Sequence, residues 1–286
     1  MELGFTTMNT PEELHPGVLA RALEERGFTS LWTGEHSHIP AARTTPYPAG
    51  GHLPAPYRRM MDPFLSLLLA ADATTALRVG TSVALPLEHD LFALAKSVAT
   101  LDRLTEGRFD FGVGVGWNVE ELADHRPDIP WSSRYRALEE CITALKALWR
   151  DEEAEHHGRW FRFDRAWCEP KPVQVPHPPI AVGMAGRLGT GHAIAWGDAW
   201  MPMDLALGNV AKRVERFRHA VSEAGRSAMP IILMTWGDPT REILAGYRDL
   251  GIDRVVIGAA REGWDDPSCT MPFLDRYAGL VPELTD

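Results

Sequence analysis

Two hydrophobic rhythms alternate along this chain. Short apolar runs are followed by longer segments in which apolar residues recur every three or four positions, the spacing of an amphipathic helix. The first half reads as a strand at 3–7, a helix at 11–26 and a strand at 29–34. The helix has Leu14, Val18, Ala22 and Leu23 on one face and Gly27 as its stop. Asp62 and Pro63 open a helix that runs to about residue 75, with Asp as cap and Pro in the first turn. A strand at 78–84 leads to a helix at 90–106, where Leu94, Val98 and Leu101 keep the spacing before Gly107 ends it. A fourth strand at 108–115 precedes a helix at 132–150 carrying Leu138, Ile142, Leu145 and Trp149.

The second half repeats the rhythm. Strands are expected at 179–184, 199–203, 230–236 and 254–258, and helices at 186–196, 207–225, 239–250 and 267–280. Eight strands, each followed by a helix, imply a parallel sheet, and eight such units suggest a closed (β/α)8 TIM barrel. An open doubly wound sheet is the alternative, but the Gly-x-Gly-x-x-Gly fingerprint is absent after the first strand. Residues 40–61 and 117–131 break the rhythm after strands two and four, on the C-terminal face where barrels build their sites. Residues 152–178 read as a small hairpin and a proline-rich return.

Length agrees with this picture. A barrel needs about 250 residues, so the whole chain, 1–286, is expected to be one α/β barrel domain with loop insertions at its C-terminal face. A net charge of −10 argues against a nucleic-acid-binding face. No apolar run reaches the roughly 18 residues that span a bilayer, so no membrane partner is expected. Met1-Glu2-Leu3-Gly4 lacks the basic and apolar regions of a secretory signal. Three cysteines, widely spaced and without Cys-x-x-Cys, suit a reducing compartment, and a cytoplasmic location is expected.

Candidate chemistry sits at the strand ends. Strand two runs into Gly34-Glu35-His36-Ser37-His38, which places polar side chains at the barrel mouth. His36 there is a candidate to move a proton near neutral pH, and His38 reads rather as a structural residue. The His-x-His spacing also occurs in metal-dependent hydrolases, but strand eight ends Ile257-Gly258-Ala259-Ala260 without a ligand, so no metal site is expected. The third strand leaves through small residues from Gly80 to Ala84, and glycines 112, 114 and 116 alternate along the fourth. Such glycines fit a face against which something lies closely. After strand five, Gly183-Met184-Ala185-Gly186-Arg187 forms a turn into a helix, where backbone N–H groups and Arg187 suit a phosphate.

Together these segments resemble the luciferase-like monooxygenase superfamily, and more narrowly its coenzyme F420-dependent oxidoreductases of actinobacterial type. The resemblance is carried by Ser30-Leu31-Trp32-Thr33-Gly34-Glu35-His36, Asp62-Pro63-Phe64 and Arg78-Val79-Gly80-Thr81-Ser82-Val83. It continues through residues 94–108, Gly112-Val113-Gly114-Val115-Gly116-Trp117-Asn118 and Trp196-Gly197-Asp198-Ala199-Trp200. The resemblance implies a luciferase-like barrel holding F420, with FMN as the alternative, at its C-terminal mouth. His36, with Glu35 beside it, matches the proton-handling catalytic position. Ser82 and Val83 match a bulge, often with a non-prolyl cis peptide, that backs the ring. Gly116 matches a glycine near the ring, and Trp117 replaces an acidic residue of some F420-dependent dehydrogenases. Gly183, Met184, Ala185, Gly186 and Arg187 match the cofactor-phosphate segment, with Met184 in place of a second glycine. The implied reaction is hydride transfer between F420 and a small organic substrate. The alternative is an FMN-dependent monooxygenase using separately reduced flavin and O2. Relatives commonly form homodimers, and the same is expected here.

Overall fold

The computed structural model of the protein describes residues 1–235, 237–258 and 266–285. The barrel strands are β1 (Glu2–Thr7), β2 (Ser30–Thr33), β3 (Arg78–Thr81) and β4 (Phe109–Val113) in the first half. After a two-stranded antiparallel hairpin, β5 (Ala154–His157) and β6 (Arg162–Ala166), come β7 (Ile180–Val182), β8 (Ala199–Trp200), β9 (Ile232–Met234) and β10 (Arg254–Ile257). All eight barrel strands are parallel, in the order β8-β7-β4-β3-β2-β1-β10-β9. Parallel bridges Trp200↔Ile231 and Met203↔Met234 join β8 to β9 and close the ring. The expected (β/α)8 barrel is therefore present.

The outer layer comprises α1 (Pro16–Glu25), α2 (Pro63–Asp72), α3 (Leu91–Leu104), α4 (Val119–His125) and α5 (Arg134–Arg150). It continues with α6 (Arg187–Trp196), α7 (Asp204–Leu207), α8 (Val210–Glu223), α9 (Arg241–Asp249), α10 (Pro267–Ala278) and α11 (Val281–Thr285). Local chemistry sets the boundaries. Asp62 and Asp90 cap α2 and α3 by accepting from the N–H groups of Leu65 and Ala93 at 2.9 Å each. α1 begins at Pro16, not at residue 11, because the Glu13 carboxylate gathers Thr7 Oγ1 (2.6 Å) and Thr10 N (2.8 Å) into a turn. Leu14 thus precedes the helix, and Val18 is exposed. The helix expected over 207–225 begins later, as α8 at Val210, because Asn209 caps it and Gly208, at φ +68°, separates it from the short α7. The last helix, expected over 267–280, is α10, and the short α11 follows beyond that range. α4 lies inside the stretch read as a loop at 117–131. Trp236, the expected end of the seventh strand, and Ala259-Ala260 after the eighth lie outside the described residues.

The barrel interior is built around one side chain. Trp32 is fully buried among Ala181, Ala199, Met201, Ile232 and Val256, and its Nε1–H donates to Ser30 Oγ at 2.9 Å. A Cβ on Gly80 would collide with its ring, so that glycine makes the room. Below Trp32 the N-terminal end is plugged by charge. Asp110 accepts from Arg78 at 2.6 Å and from Arg254 at 3.2 Å, and the Arg254 guanidinium lies 5.8 Å from the Trp32 ring. With that end filled, the C-terminal mouth is where the barrel presents polar chemistry.

β3 is shorter than the 78–84 expected. The Ser82–Val83 peptide is cis, and the strand's pairing stops at Thr81. Pairing resumes at Ala84, whose N–H donates to Gly112 O at 2.8 Å. Among the described residues, no helix is long and apolar enough to cross a membrane.

Candidate active site

His36 lies three residues beyond the end of β2 and its side chain is only 7% exposed. Its Nδ1 is 2.7 Å from Glu121 Oε2, and the Trp117 indole Nε1–H donates to its Nε2 at 3.1 Å. An indole N–H can only donate, so Nε2 must accept. The proton of the neutral ring therefore sits on Nδ1 and donates to Glu121. Two residues of the same segment hold His36 in a single tautomer with its Nε2 lone pair defined. Gly116, at φ +69°, turns the chain at the end of β4, and Trp117 and α4 follow directly. The Glu121 side chain is 1% exposed. It lies in the first turn of α4, where a negative charge is favoured.

The segment after β2 folds over this pair. Tyr57 and Trp117 each stand edge-on to His36, with ring centroids 5.5 Å away. The Tyr57 hydroxyl is 3.2 Å from that of Tyr47. Burial, and then Tyr47, hold its proton well above the usual phenol range, so it stays a donor. Glu120, the neighbour of Glu121, clamps the segment from outside. Its carboxylate accepts from Thr44 N (2.6 Å), Thr44 Oγ1 (2.8 Å), Thr45 N (3.2 Å) and Thr45 Oγ1 (2.6 Å). Those bonds, Thr45's first, hold it down near 2. The Arg43 guanidinium lies 5.6 Å from the Trp117 ring.

Glu35 is bonded differently from His36. Its Oε2 accepts from Leu85 N at 2.7 Å and its Oε1 meets His89 Nε2 at 2.6 Å. Both oxygens are thus engaged by the segment between β3 and α3. Burial alone would lower the His89 pKa, but the Glu35 hydrogen bond and charge raise it. Glu35 therefore anchors the wall behind the site. His38 is exposed and pairs with Asp124 at 3.0 Å, as fits a structural residue. Among the described residues no group of three or more His, Cys, Asp or Glu is placed to hold a metal.

Val83, just past the cis peptide, explains two glycines. A Cβ on Gly114 would lie 2.5 Å from Val83 Cγ2, and one on Gly183 would also collide with Val83. A Cβ on Gly112 would run into the Thr81 carbonyl. What lies against these glycines is therefore the protein's own β3 segment. Ser82 Oγ is 3.3 Å from Thr6 Oγ1. On the phosphate segment, Ala185 is half-buried and Arg187 is exposed at the start of α6. Gly186 is the N-cap residue, and no side chain caps this helix. Met184 is buried, and its carbonyl accepts from Trp200 Nε1 at 2.9 Å. Its side chain thus packs in the core, and any contact to a ligand from this segment falls to its neighbours. The side-chain amide of Asn118 is buried with neither end partnered among the described residues.

Sequence reading missed Glu121 and Glu88. The usable signal for Glu121 was an acid one helical turn beyond Trp117, masked because Pro127 and Pro130 made 117–131 read as a loop. Glu88 carries no motif, and only the packing of α4 on its segment brings it in.

Residues 6–267 match the family model described as luciferase-like monooxygenase. An uncharacterised protein of Mycobacterium tuberculosis is 38% identical over 290 residues, covering 98% of this chain and 99% of that one. The chain belongs to the luciferase-like monooxygenase family. Two solved structures share its fold. The monooxygenase RslO1 from Streptomyces bottropensis matches with a TM-score of 0.76 at 21% identity, over 99% of each chain. An F420-dependent secondary alcohol dehydrogenase, in complex with an F420-acetone adduct, matches with a TM-score of 0.65 at 18% identity. That match covers 98% of this chain and 82% of the other. The family is one of oxidoreductases and monooxygenases, whose members include F420-dependent and FMN-dependent proteins.

Proposed function

We propose that the protein is an F420-dependent oxidoreductase, exchanging a hydride between the deazaflavin and a small organic substrate with a hydroxyl or carbonyl group. One observation carries this reading: the buried His36 keeps its proton on Nδ1, held by Glu121, and its Nε2 lone pair turned to the Trp117 indole. That is a base positioned for a hydroxyl proton. The residues of the mouth suit a flat anionic cofactor. Val83 stands proud on Gly114 and Gly183 beside Ser82, and the open N-terminal turn of α6 with Arg187 suits a phosphate. Gly116 and Trp117 border the ring position in this reading. When bound, the deazaflavin would supply the hydride chemistry.

The chain's own residues would do the rest. A substrate hydroxyl displaces the Trp117 N–H from Nε2 and gives up its proton there as the alcohol is oxidised. Glu121 orients the ring and balances the charge it gains. Glu35 fixes the wall behind, and Tyr57, Tyr47 and Trp117 exclude water. We extend the reading to a cytoplasmic homodimer.

A second reading is an FMN-dependent monooxygenase, favoured by the shape shared with RslO1. Titration of the purified protein with F420 and with FMN separates the two. Tight F420 binding without FMN retention is the expected result. FMN binding, with F420 ignored, overturns the first reading.

A further inference from the structure

Behind His36 lies a second buried acid. Glu88, between β3 and α3, is within hydrogen-bonding reach of Glu121 on α4. Yet Glu121 Oε1 and Glu88 Oε2 are both buried and find no donor among the described residues. Two carboxylates can only repel; one carboxylic acid and one carboxylate make a strong hydrogen bond. Glu88 also lines a cleft of about 430 Å³ between the start of α3, the end of α4 and the β5–β6 hairpin. The lining of that cleft includes none of His36, Tyr57 or Trp117.

We propose that Glu88 and Glu121 share one proton and form a path by which protons leave His36 for the cleft. A proton accepted at His36 Nε2 gives the imidazolium. Its Nδ1 proton passes to Glu121 Oε2, and the acid pair releases one proton from Glu88 to water in the cleft. One proton enters and one leaves, and no bond between heavy atoms changes; the ring is left with its proton on Nε2, so a flip of the imidazole restores the resting tautomer before the next transfer. The surroundings favour a protonated Glu88: burial, then the charges of Glu121 and Glu35, push it up to about 9. The other charged groups around it are His89 and Asp90 on its own segment, His125 and Arg126 at the end of α4, and Arg162 on β6. His89 is committed to Glu35, and Arg126 to Asp128 at 2.7 Å.

The use of this path in turnover rests on the hydride-transfer reading; its existence does not, so the test uses the protein without cofactor. NMR of histidine-labelled protein at about pH 7 gives the rate at which the His36 Nδ1 proton exchanges with water. Glu88→Gln keeps a donor to Glu121 but passes no proton on. We expect exchange to slow by about a hundredfold, the scale on which a positioned acid–base group moves protons. Exchange at or above the wild-type rate overturns the path. A second measurement stands without the variant: the infrared C=O stretch of a buried carboxylic acid in wild-type protein at neutral pH. Its absence overturns the shared proton. Loss of F420 activity leaves both readouts untouched, so the two proposals fail separately.

Discussion

Trp117 and His36 occlude each other: the indole N–H sits on the one imidazole nitrogen, Nε2, that is free to accept a proton. Trp117→Phe keeps an edge-on ring but removes that donor. The expected outcome is a shift of the His36 Nε2 resonance toward that of an unbonded lone pair, with the Nδ1–H bond to Glu121 retained. An unchanged Nε2 resonance would show that the indole does not set the tautomer.

Glu121→Gln tests the opposite nitrogen. An amide is a weaker acceptor than a carboxylate and cannot balance an imidazolium. In a reconstituted turnover assay we expect kcat to fall more than KM changes. The upper bound is the loss from His36→Ala, about 10²–10⁴-fold for removal of a positioned base. A Glu121→Gln enzyme with wild-type kcat would contradict this role.

Glu88 also predicts a stability profile. Its folded pKa lies above the ordinary value, about 9 against 4.5. The unfolded chain therefore releases this proton first as pH rises. Glu88 contributes its full stability below pH 4.5 and loses it progressively up to about 9. Glu88→Gln cannot ionise and escapes that loss. The variant should melt close to wild type at about pH 4.5 and above it at about pH 8. Equal melting temperatures at both pH values would contradict a protonated Glu88.

The barrel was legible because each strand and helix carries its own period, and caps such as Asp62 and Asp90 mark their starts in sequence. His36 was legible because it directly follows an apolar strand. What did not show were relations that exist only after packing. α4 is short and hidden by prolines, so its acids could not be assigned to opposite faces, Glu121 inward and Glu120 outward. Glu35 looked like the partner of His36 because it is adjacent in sequence. Neighbours on an extended chain point to opposite sides, and the two are bonded to different segments. The glycines of β4 signalled a close approach, but not that Val83 and the Thr81 carbonyl make it.

Val83 and Gly114 form a pair that mutagenesis can cycle. Gly114→Ala forces a methyl against Val83 Cγ2 and should cost about 1–3 kcal/mol, the usual penalty for overpacking. Val83→Ala removes the obstacle, so the double variant should recover part of the loss. Urea unfolding of the four proteins gives the coupling. Additive losses would mean the two side chains do not meet.

The clamp made by Glu120 gives a prediction about motion. Its carboxylate alone gathers both N–H groups and both hydroxyls of Thr44 and Thr45, and the segment from 46 to 53 is largely exposed. Glu120→Ala should leave the barrel folded, because Glu120 belongs to the outer side of α4 and not to the core. It should free residues 40–53 to open locally. Limited proteolysis then cuts this segment faster than in wild type, while the thermal midpoint of the whole protein stays nearly constant. Releasing the segment also loosens Tyr47 from Tyr57 and Trp117, so substrate KM rises more than kcat falls in the reconstituted enzyme. Cleavage at the wild-type rate would show that Tyr47, Tyr57 and Arg43 hold the segment closed without Glu120.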